Sequence, residues 1–374
     1  MGEPVRALEG PQPQRLASAA SHGLLLSTPK HAGYLAIRTF GSLDGLRALS
    51  ILAVVWHHTQ EGFHFLPIAY RGFLGVDLFF MISGFLIVTL LLRERRRTGT
   101  ISVKKFYIRR FLRIFPPYYA VLTLVAITVS LRPGEHSNAI RRELPYALFY
   151  LSNLVPMSSI LTPTWSLSTE EQFYLVVPTL QKLARGAFPA LIVLAYVLVS
   201  LPPFGFFPNW KLPEFFRETT FGPILLGVML ALVLDHPTGY RWTCQALGHW
   251  LAPAIAGVLV LFTCNIPADD ISGFPRLAIH FSLLAFLAAC VTRERHMLAP
   301  VLRLWPLRRI GAVSYGIYLF HLLARHVVKA GIKFAGIDSQ LLFFLTTAAC
   351  AWIVAELSYH FYESRFLVLK SRWE

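Results

Sequence analysis

The stretch LRALSILAVVWHH, residues 46–58, places two polar side chains in an otherwise apolar run. Arg47 and His58 lie eleven positions apart, and eleven residues of an α-helix make almost three full rotations. Both side chains are therefore predicted to lie on one face of one helix, about 16 Å apart along its axis. An arginine and a histidine within an apolar helix are costly to bury, so the pattern indicates a functional site.

The composition is typical of a membrane protein. The chain has 374 residues, of which 55% are hydrophobic and 15% are charged, and its mean hydropathy is +0.53. Soluble domains average about 25% charged residues. The net charge of +15 does not indicate nucleic-acid binding, because the basic residues cluster at the ends of apolar runs. The four cysteines lack the spacing of a metal site, so we expect packing roles and no bound metal.

Ten apolar segments are long enough, or nearly so, to span a bilayer. We therefore predict an all-α integral membrane protein with about ten transmembrane helices. The predicted spans are 45–64, 73–92, 111–131, 164–182, 188–206, 221–235, 248–264, 276–291, 311–329 and 341–361. A shorter, proline-broken stretch at 145–160 is predicted to be interfacial or re-entrant. No internal repeat is apparent, which weakens the case for a transporter built from inverted repeats.

Basic residues predict the orientation of these spans. Nine lysines and arginines lie between residues 93 and 113, after the second span, and five arginines lie between 293 and 309, before the ninth. If ten spans alternate, both links lie on the same side, and the opposite links carry few basic residues. Since positive links face the cytoplasm, both termini are predicted to be cytoplasmic.

Several predicted spans carry further ionisable side chains. Asp77 lies near the outer end of the second span, and Glu170 and Glu171 lie in the fourth. His321 and Arg325 are four residues apart in the ninth, so they share a helix face. Each such residue costs about 2.5–3.5 kcal/mol on insertion scales, so a set spread over four spans needs an explanation.

Simpler interpretations remain open for each residue taken alone. His57 and His58 could cap the outer end of the first helix, and Asp77 could be a solvated residue at a helix start. One of the glutamates in the fourth span could form a purely structural ion pair with Arg325. The basic link could reflect topology alone.

Five segments, in order and with plausible spacing, resemble the successive motifs of the membrane-bound acyltransferase 3 family. Members of this family are mostly bacterial inner-membrane enzymes that O-acylate extracytoplasmic carbohydrates. The family's hallmark, a basic residue and a histidine separated by ten residues, falls on Arg47 and His58 rather than on His57. The segments are SLDGLRALSILAVVWHH at 42–58, FLGVDLFFMISGFLI at 73–87, FYIRRFLRIFPPYY at 106–119, TWSLSTEEQFYL at 164–175 and SYGIYLFH at 314–321.

The resemblance implies an O-acyltransferase that moves an acyl group, expected to be acetyl, from cytosolic acyl-CoA. The implied acceptor is a hydroxyl of an extracytoplasmic carbohydrate, such as exopolysaccharide, lipopolysaccharide O-antigen or another glycan. No bound cofactor is expected, and the implied location is the bacterial inner membrane.

The resemblance also suggests how the chain is divided. Residues 1–40 are predicted to be a poorly ordered cytoplasmic tail, 41–364 the acyltransferase 3 transmembrane domain, and 365–374 a short cytoplasmic tail. Some members carry a fused esterase-like domain after the membrane part, and we expect the stand-alone form here. The outer loops 131–163 and 206–220 are then expected to handle the acceptor.

Roles for the central residues follow from their chemistry. Histidine suits a general base near neutral pH, so His58 is predicted to take the proton of the acceptor hydroxyl. Asp77 begins a helix on the side where the first helix ends, so it is predicted to orient His58. Arg47, deeper in the membrane, is predicted to meet the thioester arm or a charge that develops in the transition state.

The remaining candidates form two groups. Arg109, Arg110 and Arg113 open the third helix on the cytosolic side and are predicted to bind the phosphates of acyl-CoA. Trp165 and Glu170 match the family's fourth-helix motif and are expected to line the same cavity.

The late motif contributes three candidate residues, and three rival functions remain open. Tyr315, Tyr318 and His321 match the late motif, where a structural role is as plausible as a catalytic one. A proton-coupled transporter or channel is one rival function. An acyltransferase that acts on lipid or protein hydroxyls is another, and a non-catalytic scaffold for polysaccharide export is the third.

Overall fold

The computed structural model describes residues 29–60, 66–131, 134–157, 160–201, 204, 221–268 and 271–373, and all regular elements within these ranges are helical. The longer helices are α1 (Pro29–Ala36), α2 (Leu43–Thr59), α3 (Leu74–Thr98), α4 (Val103–Leu131), α5 (Glu135–Leu148), α6 (Thr164–Leu183), α7 (Phe188–Ser200), α8 (Gly222–Asp235), α9 (Pro237–Leu247), α10 (Ala252–Cys264), α11 (Phe274–Thr292), α12 (Trp305–Ala312), α13 (Ser314–Phe334), α14 (Gln340–Ser358) and α15 (Ser364–Ser371).

The all-α membrane architecture is confirmed. Each of the ten predicted spans coincides with one helix, namely α2, α3, α4, α6, α7, α8, α10, α11, α13 or α14. Among the described residues, four helices are long and apolar enough to cross a membrane: α3, α4, α11 and the run Gln340–Ser371. A fifth is reached if α8 and α9, which meet at a bend of 107°, count as one span. The structure therefore supports four or five spans, and the count of ten stays a prediction.

Helix length explains part of the shortfall, whereas α6 and α13, with 20 and 21 residues, are long enough but too polar to be counted. Helix α2 has 17 residues, and α7 and α10 have 13 each. At 1.5 Å per residue these helices reach about 20–26 Å, whereas the hydrocarbon core is about 30 Å thick. Large apolar side chains nevertheless face outward on several helices, for example Ile127, Val193, Phe262 and Leu345, as a surface in contact with lipid requires.

Charged side chains at the start of α2 and at the end of α3 match the helix dipole. Asp44 lies in the first turn of α2. Helix α3 ends in three arginines followed by Gly99, whose φ of 77° is the left-handed conformation common after a helix.

Close backbone contact fixes α3 against α8. A Cβ added to Gly84 would lie 2.0 Å from the carbonyl oxygen of Ile224, and one added to Gly227 would lie 2.1 Å from that of Met81. Small residues that let backbones approach are typical of helix pairs in membranes. The register of α3, which carries Asp77, is therefore set by its contact with α8.

Parts of the predicted tails and loops are ordered. Within the predicted N-terminal tail, α1 is a helix that buries His31 and Tyr34, while residues 1–28 lie outside the described residues, so the division into tails and membrane domain stays a prediction. The C-terminal segment continues as helix α15. The stretch predicted to be re-entrant holds the end of α5 and a 3-10 turn at Ser152–Leu154, while 158–159 and the outer loop 206–220 lie outside the described residues.

Candidate active site

A cavity of about 100 Å³, partly open to solvent, lies where α2, α3, α4, α6 and α13 meet. Every residue that lines it belongs to one of the five motif segments, so segments far apart in sequence form one continuous wall. The lining residues are Arg47, Val76, Phe79, Phe80, Ser83, Arg110, Arg113, Ile114, Ser166, Leu167, Glu170, Tyr174, Ser314, Tyr315 and Tyr318.

The charged side chains of this wall are mostly cationic. Arg47, Arg110 and Arg113 line the cavity together with one carboxylate, Glu170. Arg47 also forms an ion pair at 3.0 Å with Asp44, one turn earlier on α2. A net positive, partly enclosed cavity is suited to an anionic ligand, and guanidinium groups favour phosphate.

Glu170 is held by two hydroxyl groups. Ser83 of α3 and Tyr174 of α6 both donate hydrogen bonds to its Oε1. Tyr174 also supports Arg110, whose guanidinium carbon lies 5.1 Å from the centre of the Tyr174 ring. The sequence-based interpretation missed Tyr174, although its position four residues after Glu170 places both on one helix face.

Two tyrosines of α13 tie the wall together. The Tyr315 hydroxyl donates to the carbonyl of Ile114, at 2.9 Å, next to the prolines of α4. The hydroxyls of Tyr318 and Ser166 are hydrogen-bonded to each other at 2.6 Å. Both bonds are between helices and fix the position of α13 against α4 and α6, a role that the late motif alone did not show.

His58 presents an open ring nitrogen. Its Nδ1 lies 2.9 Å from the carbonyl oxygen of Val54 and must donate to it, since a carbonyl only accepts. In the neutral imidazole the proton is therefore on Nδ1, which leaves Nε2 with the lone pair that a general base requires. His57 is tied elsewhere, to the carbonyl of Tyr70 at 3.0 Å.

His321 of α13 is the neighbour of His58. The two ring centres are 4.9 Å apart, with the ring planes tilted by 63°. The Nδ1 of His321 donates to the carbonyl of Tyr318 at 2.7 Å, and this side chain is 1% exposed. Its buried Nε2 has no hydrogen-bond partner among the described residues.

The prediction that Asp77 orients His58 is wrong. The Asp77 carboxylate forms an ion pair with Arg276 of α11 at 2.7 Å and lies 3.2 Å from Nε2 of His280. A short link between α2 and α3 brings their ends together but does not set which side of each helix faces which neighbour. Asp77 faces α11, whereas His58 faces α13, so the carbonyl of Val54 orients the His58 ring instead.

Arg109 and Trp165 are the two candidates that remain, and their surroundings differ. Arg109 lies outside the cavity wall, where it donates to the carbonyl of Trp373 at 3.0 Å and pairs with Glu94 at 3.5 Å. The predicted arginine cluster is therefore split, with only two of its three members in the wall. Trp165 packs edge-on against Phe80, a lining residue, at 5.9 Å between ring centres.

Comparison with known proteins supports an acyltransferase. A protein of Staphylococcus aureus named "Putative O-acetyltransferase" is 29% identical over 372 residues, covering 89% of this chain and 58% of the relative. The Bacillus subtilis "Putative peptidoglycan O-acetyltransferase YrhL" is 29% identical, covering 87% and 54%. The Listeria monocytogenes "Peptidoglycan O-acetyltransferase OatA" is 27% identical, covering 86% and 55%.

The chain thus spans little more than half the length of these relatives. No solved structure matches it. The family model described as "Acyltransferase domain" matches residues 40–356, which include all five motif segments and the entire cavity wall. The chain belongs to the acyltransferase 3 family.

Proposed function

We propose that the protein is a membrane-embedded O-acetyltransferase. It takes an acyl group from cytosolic acyl-CoA and transfers it to a hydroxyl of an extracytoplasmic carbohydrate. We further propose that the ten apolar helices span the bacterial inner membrane, with both chain termini in the cytoplasm.

The observation that carries this proposal is the placement of two residues on α2. Arg47 lines the cationic cavity, and His58, eleven residues later, presents an open Nε2 next to His321. About 16 Å of helix separates the two positions. An extended thioester arm is long enough to reach from a phosphate-binding end to a base at such a distance.

The donor end is assigned to the cavity arginines. Acyl-CoA carries several phosphates, and planar guanidinium groups bind phosphate oxygens through two parallel hydrogen bonds. Arg110 and Arg113 lie on α4, and Arg47 faces the same space from α2. Arg109 is engaged by Glu94 and the C-terminal segment, so we no longer assign it to the phosphates.

The acceptor end is assigned to His58. Its Nε2 accepts the proton of the acceptor hydroxyl as the oxygen attacks the thioester carbonyl. A new C–O ester bond forms, the C–S bond breaks, and the proton returns from His58 to the leaving thiolate. Direct transfer of this kind needs no covalent enzyme intermediate.

The names of the relatives support acetyl as the acyl group and a glycan as the acceptor. Two of them are named peptidoglycan O-acetyltransferases, so peptidoglycan joins the other surface glycans as a candidate acceptor. The cavity's arginines and the open histidine suit transfer to a hydroxyl, whatever glycan carries it.

The test is a deletion strain complemented with the wild-type gene, with His58→Ala or with His57→Ala. The readout is the set of O-acetyl signals in NMR spectra of the purified surface polysaccharides and peptidoglycan. Wild type and His57→Ala are expected to restore the signals lost on deletion, and His58→Ala is expected not to. The control is matched, because His57 is the adjacent histidine and also has its Nδ1 on a backbone carbonyl. Full restoration by His58→Ala would show that His58 is not the base.

A further inference from the structure

Two open acceptor nitrogens lie side by side between α2 and α13. His58 and His321 each use Nδ1 to donate to a carbonyl of their own helix. Each Nε2 therefore lies on the side of its ring away from that carbonyl. The ring centres are 4.9 Å apart, so the two imidazoles are in contact.

These two nitrogens cannot satisfy each other. With both protons on Nδ1, each Nε2 has a lone pair and no hydrogen, so a bond between them lacks a donor. The Nε2 of His321 is fully buried and has no partner in the described part of the chain. Buried polar atoms are nearly always hydrogen-bonded, so an orphaned one in a native protein indicates a partner from outside the chain.

No described residue donates a hydrogen bond to this Nε2. Arg325 follows one turn later on α13, and the structure shows no bond from it to His321. The Tyr318 hydroxyl is engaged with Ser166 and with the carbonyl of Pro163. Within the described part of the chain, the Nε2 of His321 therefore lacks a donor.

We propose that His58 and His321 together bind two neighbouring hydroxyl groups of the acceptor, so that the site selects a vicinal diol. One hydroxyl donates to His58 and is the one that is acylated; its neighbour donates to His321 and positions the sugar. This proposal rests on the proposed function. It adds a specificity-determining role for His321 that is separate from the base chemistry of His58.

Atom counting supports a diol over a single alcohol. A lone hydroxyl has one hydrogen and satisfies one nitrogen, which leaves the other buried lone pair unpaired. A site built to accept a hydroxyl discriminates strongly against the analogue that lacks it, because the protein's polar group is then left without a partner. A carbohydrate ring with adjacent hydroxyls supplies both donors at once.

The first arm of the test measures binding and does not depend on catalysis. Purified protein in detergent is titrated with cis-1,2-cyclohexanediol or cyclohexanol, and ligand-detected NMR gives each dissociation constant. Wild type is expected to bind the diol about tenfold more tightly than cyclohexanol, the effect of one buried hydrogen bond. Equal affinities in wild type would overturn the proposal. That is also the result expected if a trapped water satisfies both nitrogens.

Three variants link the preference to His321. His321→Leu removes the acceptor and is expected to abolish the preference for the diol. His321→Gln, which keeps an amide oxygen near the position of Nε2, is expected to restore part of it even if the leucine variant misfolds. His326→Gln is the matched control, since His326 lies on the same helix and its Nδ1 also donates to a backbone carbonyl, that of Leu322. A preference that persists in His321→Leu would refute the assignment.

The second arm separates this inference from the proposed function. The same alcohols are offered with acetyl-CoA, and acetyl esters are measured by mass spectrometry. The diol is expected to have the lower KM in wild type, and His321→Leu is expected to raise that KM about tenfold while leaving the KM for cyclohexanol unchanged. Absence of ester with either alcohol would contradict the proposed function, whereas the binding arm alone decides the role of His321.

Discussion

Two polar clusters, one between α3 and α11 and one between α2 and α13, differ in whether their polar groups are paired. In the cluster on α11, Arg276 binds the Asp77 carboxylate at 2.7 Å and donates from Nε to the His280 ring at 2.9 Å. In the cluster on α13, the rings of His58 and His321 touch, and the buried Nε2 of His321 has no partner among the described residues.

The difference separates a structural cluster from a chemical one. A buried carboxylate that is paired with an arginine has its charge compensated and is held in place. A pair of neutral imidazoles with open lone pairs is costly to keep buried, and the cost is offset only when a ligand supplies donors. We therefore expect the paired cluster to determine stability and the open pair to determine activity.

The largest expected effect comes from making the same substitution in both clusters. His58→Gln removes a group that is able to take a proton and is expected to lower kcat by about 10²–10⁴-fold, with little change in stability. His280→Gln is expected to lower thermal stability and leave the folded fraction active. Transfer of acetyl from acetyl-CoA and thermal unfolding in detergent are the two measurements. If both variants lose activity in proportion to their stability, the two clusters do not differ in the way we argue.

The next effect concerns the ion pair itself. Asp77→Leu leaves the buried Arg276 without its counter-charge and is expected to reduce the free energy of unfolding by about 3–5 kcal/mol. Replacing both residues with leucine is expected to recover most of that loss, because an apolar pair leaves no unpaired charge. The measurement is chemical unfolding in detergent. A double variant as unstable as Asp77→Leu would show that the pair is not simply structural.

A third, smaller effect divides the arginines of α4. Arg113 lines the cavity, whereas Arg109 is held by Glu94 and the carbonyl of Trp373. Loss of one charge-assisted hydrogen bond costs about 1.5–3 kcal/mol, so Arg113→Gln is expected to raise the KM for acyl-CoA about tenfold or more. Arg109→Gln, on the same helix but outside the cavity wall, serves as the control and is expected to leave that KM unchanged. Equal increases of the KM for acyl-CoA in both variants would show that Arg109 also contributes to donor binding.

The order of the motifs in the sequence predicted much of the cavity. Arg47, Arg110, Arg113, Glu170 and Tyr315 were all candidates, and all five line it. They were predictable because each belongs to a motif and because helical spacing fixes which residues share a face. The ten apolar segments were found for a similar reason, since hydrophobic runs show directly in sequence.

The prediction that Asp77 contacts His58 failed because such a contact depends on how one helix is rotated relative to another. The sequence placed Asp77 at the same membrane level as His58, but the contacts between α3 and α8 turn Asp77 towards α11. Nothing in the sequence indicated that Arg276 of α11 is the partner of that carboxylate. Such pairings join residues about 200 positions apart, and helical periodicity carries no information about them.

The smallest expected effect concerns Glu170, which shares one property with each of the two clusters. Its carboxylate is bonded within the chain by Ser83 and Tyr174, yet it also faces the cavity. Tyr174→Phe removes one donor to the carboxylate and keeps the ring beside Arg110 and the second donor, Ser83, so we expect a loss of about 1.5 kcal/mol in the free energy of unfolding, the lower end for a bond to a charged group.

If Glu170 contacts a substrate, the same substitution also lowers kcat/KM several-fold, because the carboxylate is then less firmly positioned. Tyr119→Phe is the matched control, since its hydroxyl donates to the carbonyl of Leu148 and the residue does not line the cavity. A change in kcat/KM for Tyr174→Phe without one for Tyr119→Phe would place Glu170 with the open pair. Equal, purely thermal effects would place it with the paired cluster, where a carboxylate serves the fold alone.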